Sequence, residues 1–169
     1  QIVLNVSSYV IPDQAPIEIC DEDATQDGLY QFDLNAQVTP QVMAGLPSGL
    51  VVDYYLTAND AVTETNPLPN IFKNTIPNSQ TIYVRAINGP DCYDIAPIEI
   101  IVHTFDPPNF EEETFYLCKG DQMTLSVDSG FKSYQWSNTD SANSTVISTA
   151  GDYSILVTSI NNCQKTKKF

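Results

Sequence analysis

Apolar and polar residues alternate with period two over most of this chain. Leu50-Val51-Val52-Asp53-Tyr54-Tyr55-Leu56-Thr57 is β-branched and aromatic, and Thr81-Ile82-Tyr83-Val84-Arg85-Ala86-Ile87 alternates strictly. Pro97-Ile98-Glu99-Ile100-Ile101-Val102-His103 follows after a turn signal at Asn88-Gly89-Pro90. The second half repeats the habit in Gln122 to Val127, Ser133 to Ser137 and Asp152 to Thr158. Such runs, separated by turn residues and with no long 3.6-residue period, predict strands and an all-β sandwich class. Short helical turns are expected only over Asn35 to Ala44 and Asn59 to Glu64.

An internal correspondence sets the expected boundaries. Ile2-Val3-Leu4-Asn5-Val6, a Pro-bearing spacer and Pro16-Ile17-Glu18-Ile19-Cys20 are matched by Ile98 to Val102, the spacer with Asp106-Pro107-Pro108, and Phe115-Tyr116-Leu117-Cys118. The chain therefore divides into a first module over 1–106 and a smaller one over 107–169, with 1–6 reading as the last strand of an upstream module. Pro107-Pro108 donates no backbone hydrogen bond and suits a stiff joint.

Charge changes the picture. Seven Lys+Arg against 21 Asp+Glu give a net charge of -14, so nucleic acid and anionic lipid are poor partners. Residues 1–106 hold 14 acids and 2 bases, net -12, whereas 107–169 hold 7 and 5, net -2. No apolar stretch approaches the roughly 20 residues of a membrane helix. No Met start, basic n-region or apolar h-region opens the chain at Gln1, so it is expected to be a mature or excised piece whose targeting signal, if any, lies outside it. The one histidine, His103, sits in a strand-patterned run; a catalytic triad or multi-histidine metal site cannot be assembled, and no catalysis is expected. Cys20, Cys92, Cys118 and Cys163 lack CxxC spacing and read as two disulfides in an oxidising, exported location.

Cys20-Asp21, Asp27-Gly28, Phe32-Asp33-Leu34, Val52-Asp53-Tyr54-Tyr55, Asn59-Asp60-Ala61, Asn66-Pro67, Thr81-Ile82-Tyr83-Val84-Arg85 and Cys92 occur in this order. Over about residues 16 to 103 this string resembles the repeats of large surface adhesins of gliding, type IX-secreting Bacteroidota, SprB-like proteins among them. Cys118-Lys119-Gly120-Asp121, Tyr134-Gln135-Trp136, Gly151-Asp152-Tyr153 and Cys163 are similar to the short immunoglobulin-like units that accompany them. One departure is the loop lengthened by Ala24-Thr25-Gln26. The resemblance implies two tandem antiparallel β-sandwich domains, Ig-like or fibronectin-like, acting as a stalk or adhesive repeat in gliding or attachment at the cell surface. Its partners would be neighbouring repeats and a surface polysaccharide or substratum. The alternative is a carbohydrate-binding or accessory module of a secreted polysaccharide-degrading enzyme.

Four cysteines allow three pairings, and modules that fold alone are compatible with Cys20–Cys92 and Cys118–Cys163. Trp136 reads as a core residue packed on the second bridge. Tyr54, Tyr55, Tyr83 and Tyr134 could form an aromatic platform for sugar rings, but Tyr54 and Tyr55 are adjacent in a strand and face opposite ways. Asp140-Ser141-Ala142 matches the O-glycosylation pattern of exported Bacteroidota proteins, which makes Ser141 a candidate acceptor beside the plainer reading of a turn. The Asn5-Val6-Ser7 and Asn143-Ser144-Thr145 sequons carry little weight in a bacterium. Finally, Asp21, Glu22, Asp23 and Asp27 precede Gly28, and Asp33 follows. Two readings stand: a solvated acidic turn, and a calcium site with Asp21, Asp23 and Asp27 as ligands, although no bidentate Glu closes the loop.

Overall fold

A computed structural model describes residues 10–87 and 93–169. The expected upstream strand at 1–6, the Asn5 sequon, the Asn88-Gly89-Pro90 turn and Cys92 lie outside the described residues. The described chain is built mostly of strands in four sheets with three short helices. It divides into two compact units: one runs to Asp21 and resumes over Asp27–Val102, the other comprises Glu22–Gln26 and His103–Phe169.

In the first unit, β1 (Ile17–Cys20), β2 (Gln31–Asp33), α1 (Leu34–Gln37), α2 (Thr39–Val42), β3 (Val51–Tyr55), α3 (Ala58–Thr63), β4 (Ile71–Lys73), β5 (Ser79–Ile87) and β6 (Tyr93–His103) follow one another. A four-stranded sheet has the order β1-β6-β5-β3, and β2 pairs with β4. The period-two pattern fixes the register. Antiparallel β5 and β6 set Ile82 opposite Ile98 and Val84 opposite Ala96, all of them buried. Thr81 opposite Glu99 is exposed on the other face. The inward rows of β5 and β6 pack with Phe32, Leu34, Val38, Val42 and Tyr54 into one core. Leu34, Val38 and Val42 recur every four residues, so the two helical turns present one apolar face. Asp33 caps α1 by accepting the Ala36 N–H at 3.0 Å, and Thr57 caps α3 through the Asp60 N–H at 3.0 Å; both are favoured N-cap residues. Helix α3 stops at Glu64, which adopts the left-handed conformation with φ 56°.

The second unit contains β7 (Met123–Ser126), β8 (Ser133–Trp136), β9 (Ser144–Ile147), β10 (Ser154–Thr158) and β11 (Gln164–Lys168). One sheet has the order β11-β10-β8 and the other pairs β7 with β9. Leu125, Trp136, Ile147, Ile155 and Val157 form its buried centre. Trp136 is a core residue: its Nε1 donates to the Ala142 carbonyl at 2.8 Å and its ring stacks on Phe169 with centroids 5.5 Å apart. The β10–β11 hairpin turns through Asn162, at φ 66°, with Ser159 N–H donating to the Cys163 carbonyl at 2.8 Å. Among the described residues no helix is long and apolar enough to cross a membrane.

Candidate functional site

The cysteines depart from the expected pairing. Cys20, at the end of β1, and Cys163, at the start of β11, are both disulfide-bonded, and the bond joins them to each other. Cys118 is a free, exposed thiol. Both expected pairs, Cys20–Cys92 and Cys118–Cys163, are thereby corrected. The geometry of the second unit explains why Cys118 and Cys163 do not meet. Cys163 sits at the hairpin end of β11, whereas Leu117, next to Cys118, lines a small cavity with Tyr153 and Phe169 at the opposite end of β10 and β11. Five strand residues rise roughly 16 Å, more than twice the Cα separation that a disulfide spans. Cys163 itself is buried; its Sγ lies 3.9 Å from the His103 carbonyl oxygen, and Asn161 Nδ2 is 3.0 Å from His103 Nδ1.

The acidic loop after Cys20 uses its carboxylates on its own backbone. Asp21, buried, accepts the Gly28 N–H at 2.8 Å. Asp23 Oδ1 accepts from Thr25 N at 2.8 Å, Thr25 Oγ1 at 2.5 Å and Gln26 N at 3.1 Å. Asp27 Oδ1 accepts from Leu29 N at 2.9 Å. These are the Asx-type contacts by which short acidic side chains build turns. Within the second unit, Gln26 Oε1 accepts the Phe105 N–H at 2.6 Å. Gly28 is required where it stands: its φ is +74°, and a Cβ there would meet Asn78 Oδ1 at 2.5 Å and Asn78 N at 2.8 Å. Among the described residues no group of three or more His, Cys, Asp or Glu is arranged to hold a metal ion.

The tyrosines do not share a platform. Tyr54 enters the core of the first unit and its hydroxyl meets Thr39 Oγ1 at 2.8 Å; burial pushes its pKa up to about 12 against the lowering effect of that hydrogen bond. Tyr55 lies on the opposite face, across from Tyr83, and is pushed up by burial first and then by the Asp53 carboxylate. Tyr134 packs against the core of the second unit. Ser141 is exposed beside Asp140, whose carboxylate is taken by Thr145 Oγ1 and Asn138 Nδ2.

Arg85 is a feature that alternation concealed. It occupies an outward position of β5 opposite Asp53, yet is only 3% exposed. Its Nη1 donates to the Ala61 carbonyl of α3 at 2.9 Å, Nη2 pairs with Glu64, and its Cζ lies 3.6 Å from the Tyr93 ring centroid. Among the described residues Nε has no hydrogen-bond partner. A lone arginine in a strand is ordinarily a solvent-facing one; only the Ala58–Thr63 helix above it shows otherwise.

No curated protein matches the chain. The family model that matches residues 16–107 is described as the Flavobacterium inter-domain disulphide bond domain, and this chain belongs to that family.

Proposed function

We propose that the chain is a non-catalytic stalk or adhesive segment of a large extracellular Bacteroidota surface protein, SprB-like in kind, made of two tandem β-sandwich modules that serve attachment or gliding. The Cys20–Cys163 bond carries this reading. Disulfides persist in exported, oxidising locations, and the family match is compatible with an extracellular Bacteroidota protein. The bond also has a mechanical consequence. It closes most strands of both units, from β2 to β10, inside one covalent loop, so tension applied outside the loop passes through the sulfurs and cannot draw those strands out. The acidic surface keeps neighbouring repeats apart and soluble.

The test is made on cells. Antibody against this chain is expected to label intact cells, and removal of the segment from the full protein is expected to reduce attachment or movement on a surface. Absence of surface labelling, or attachment and movement unchanged by the deletion, would overturn the reading.

A further inference from the structure

Lys167 is the most unusual cation in the second unit. Its neighbours Lys165 and Lys168 reach solvent, but Lys167 is only 4% exposed. Its Nζ donates to the Asn109 carbonyl at 2.6 Å and to Glu113 Oε1 at 2.8 Å, with the Phe169 ring centroid 5.0 Å away. An ammonium group has three donors, so its two oxygen partners among the described residues leave one over. Lys167, Glu113 and Asn109 stand in the wall of a half-open cavity of about 290 Å³, completed by Pro108, Phe110, Ser126, Val127 and Asp128. That space holds one six-membered ring with a few waters, each of which takes about 30 Å³.

The lining chooses its ligand by charge. Glu113 and Asp128 outnumber the single ammonium, and the whole chain stands at -14, so an anion is repelled. A small cation gains less than the carboxylate count implies, because Glu113 is already paired with the Lys167 ammonium, which repels it. A neutral ligand bearing adjacent hydroxyls suffers neither penalty. One hydroxyl accepts from Lys167 while its neighbour donates to Glu113 or Asp128, and hydrogen bonds to charged groups are the stronger kind. Phe110, half-buried and packed edge-on against Phe131, adds an apolar wall of the sort that sugar rings lie against. We propose that this cavity, between the Asn109–Glu113 segment and the Ser126–Asp128 end of β7, binds a neutral sugar residue through Lys167, Glu113 and Asp128. The site deepens the adhesive reading by naming a ligand class for it.

The experiment uses the full chain, isotope-labelled, and follows its backbone amide signals while the methyl glycosides of glucose, galactose, mannose and N-acetylglucosamine are added in turn. Glucuronate and a diamine serve as charged controls. At least one neutral glycoside is expected to cause saturable shifts centred on Glu113, Ser126 to Asp128 and Lys167. Asp128→Ala and Ser126→Ala, both on exposed side chains, are expected to weaken that binding roughly tenfold for the aspartate and less for the serine, with the melting temperature unchanged. No saturable shift with any neutral glycoside would overturn the site, as would shifts elsewhere, equal binding of a charged control, or binding indifferent to Asp128→Ala. A chain that binds no sugar but still labels cells and supports attachment loses this site and keeps the adhesive reading; sugar binding without any attachment defect does the reverse.

Discussion

Asp21 holds the N–H of Gly28 at 2.8 Å, a contact that closes the acidic loop directly after the disulfide cysteine Cys20. The loop is thus shaped by its own carboxylates. Gly28 is pinned from both sides, since Asn78 N–H donates to its carbonyl at 3.0 Å and Asn74 Nδ2 donates to it at 2.9 Å.

Substitution at Gly28 separates contact from conformation. Gly28→Ala adds a clash with Asn78 backbone to an unfavourable positive φ, whereas Gly45→Ala, at φ +82° with nothing within 4 Å, carries the conformational cost alone. Gly45→Ala is expected to cost about 1 kcal/mol and Gly28→Ala about 3 kcal/mol or more. Chemical denaturation of the two variants side by side measures the difference, and equal losses would contradict the close approach.

Much of this fold is legible in the sequence wherever one face of a strand is dry. Ile82, Val84, Ala96 and Ile98 announce β5 and β6 because burial on one side and water on the other writes period two into the chain. β11 escapes that reading: Gln164-Lys165-Thr166-Lys167-Lys168 has no apolar row, and the residue that turns inward is a lysine whose stem packs while its charge finds Glu113. The cysteine pairing escapes for a different reason. Sequence order places Cys118 and Cys163 in one module, but the pairing depends on which end of β10 and β11 each occupies, and that is a tertiary fact. Asp21, Asp23 and Asp27 are legible as part of an acidic cluster; that each of the three accepts a nearby backbone N–H depends on dihedrals that composition does not encode.

Calcium tests the loop. With Asp21, Asp23 and Asp27 each accepting local N–H groups, the melting curve is expected to coincide in millimolar calcium and in chelator at fixed ionic strength. A native-state ligand raises the melting temperature by mass action, so an upward shift with calcium that Asp23→Asn abolishes would establish the metal-binding alternative.

Tyr54 gives the protein an alkaline limit. Its folded pKa is raised from 10.0 to about 12, so the protonated phenol is favoured by the native state. The associated stability is fully present below pH 10 and is lost as pH rises through 12, by roughly 3 kcal/mol at most. Tyr54→Phe, which keeps the ring and removes the ionisable group, is expected to flatten stability against pH over that interval. Denaturation midpoints taken from pH 9 upward would show it, and an unaltered slope would place the titrating group elsewhere.

The disulfide connectivity is the most direct test of the whole reading. Proteolysis of the protein without reduction, with thiols blocked beforehand, followed by mass spectrometry, is expected to yield a peptide linking Cys20 to Cys163 and a blocked thiol at Cys118. Recovery of a Cys20–Cys92 or Cys118–Cys163 peptide in its place would contradict it.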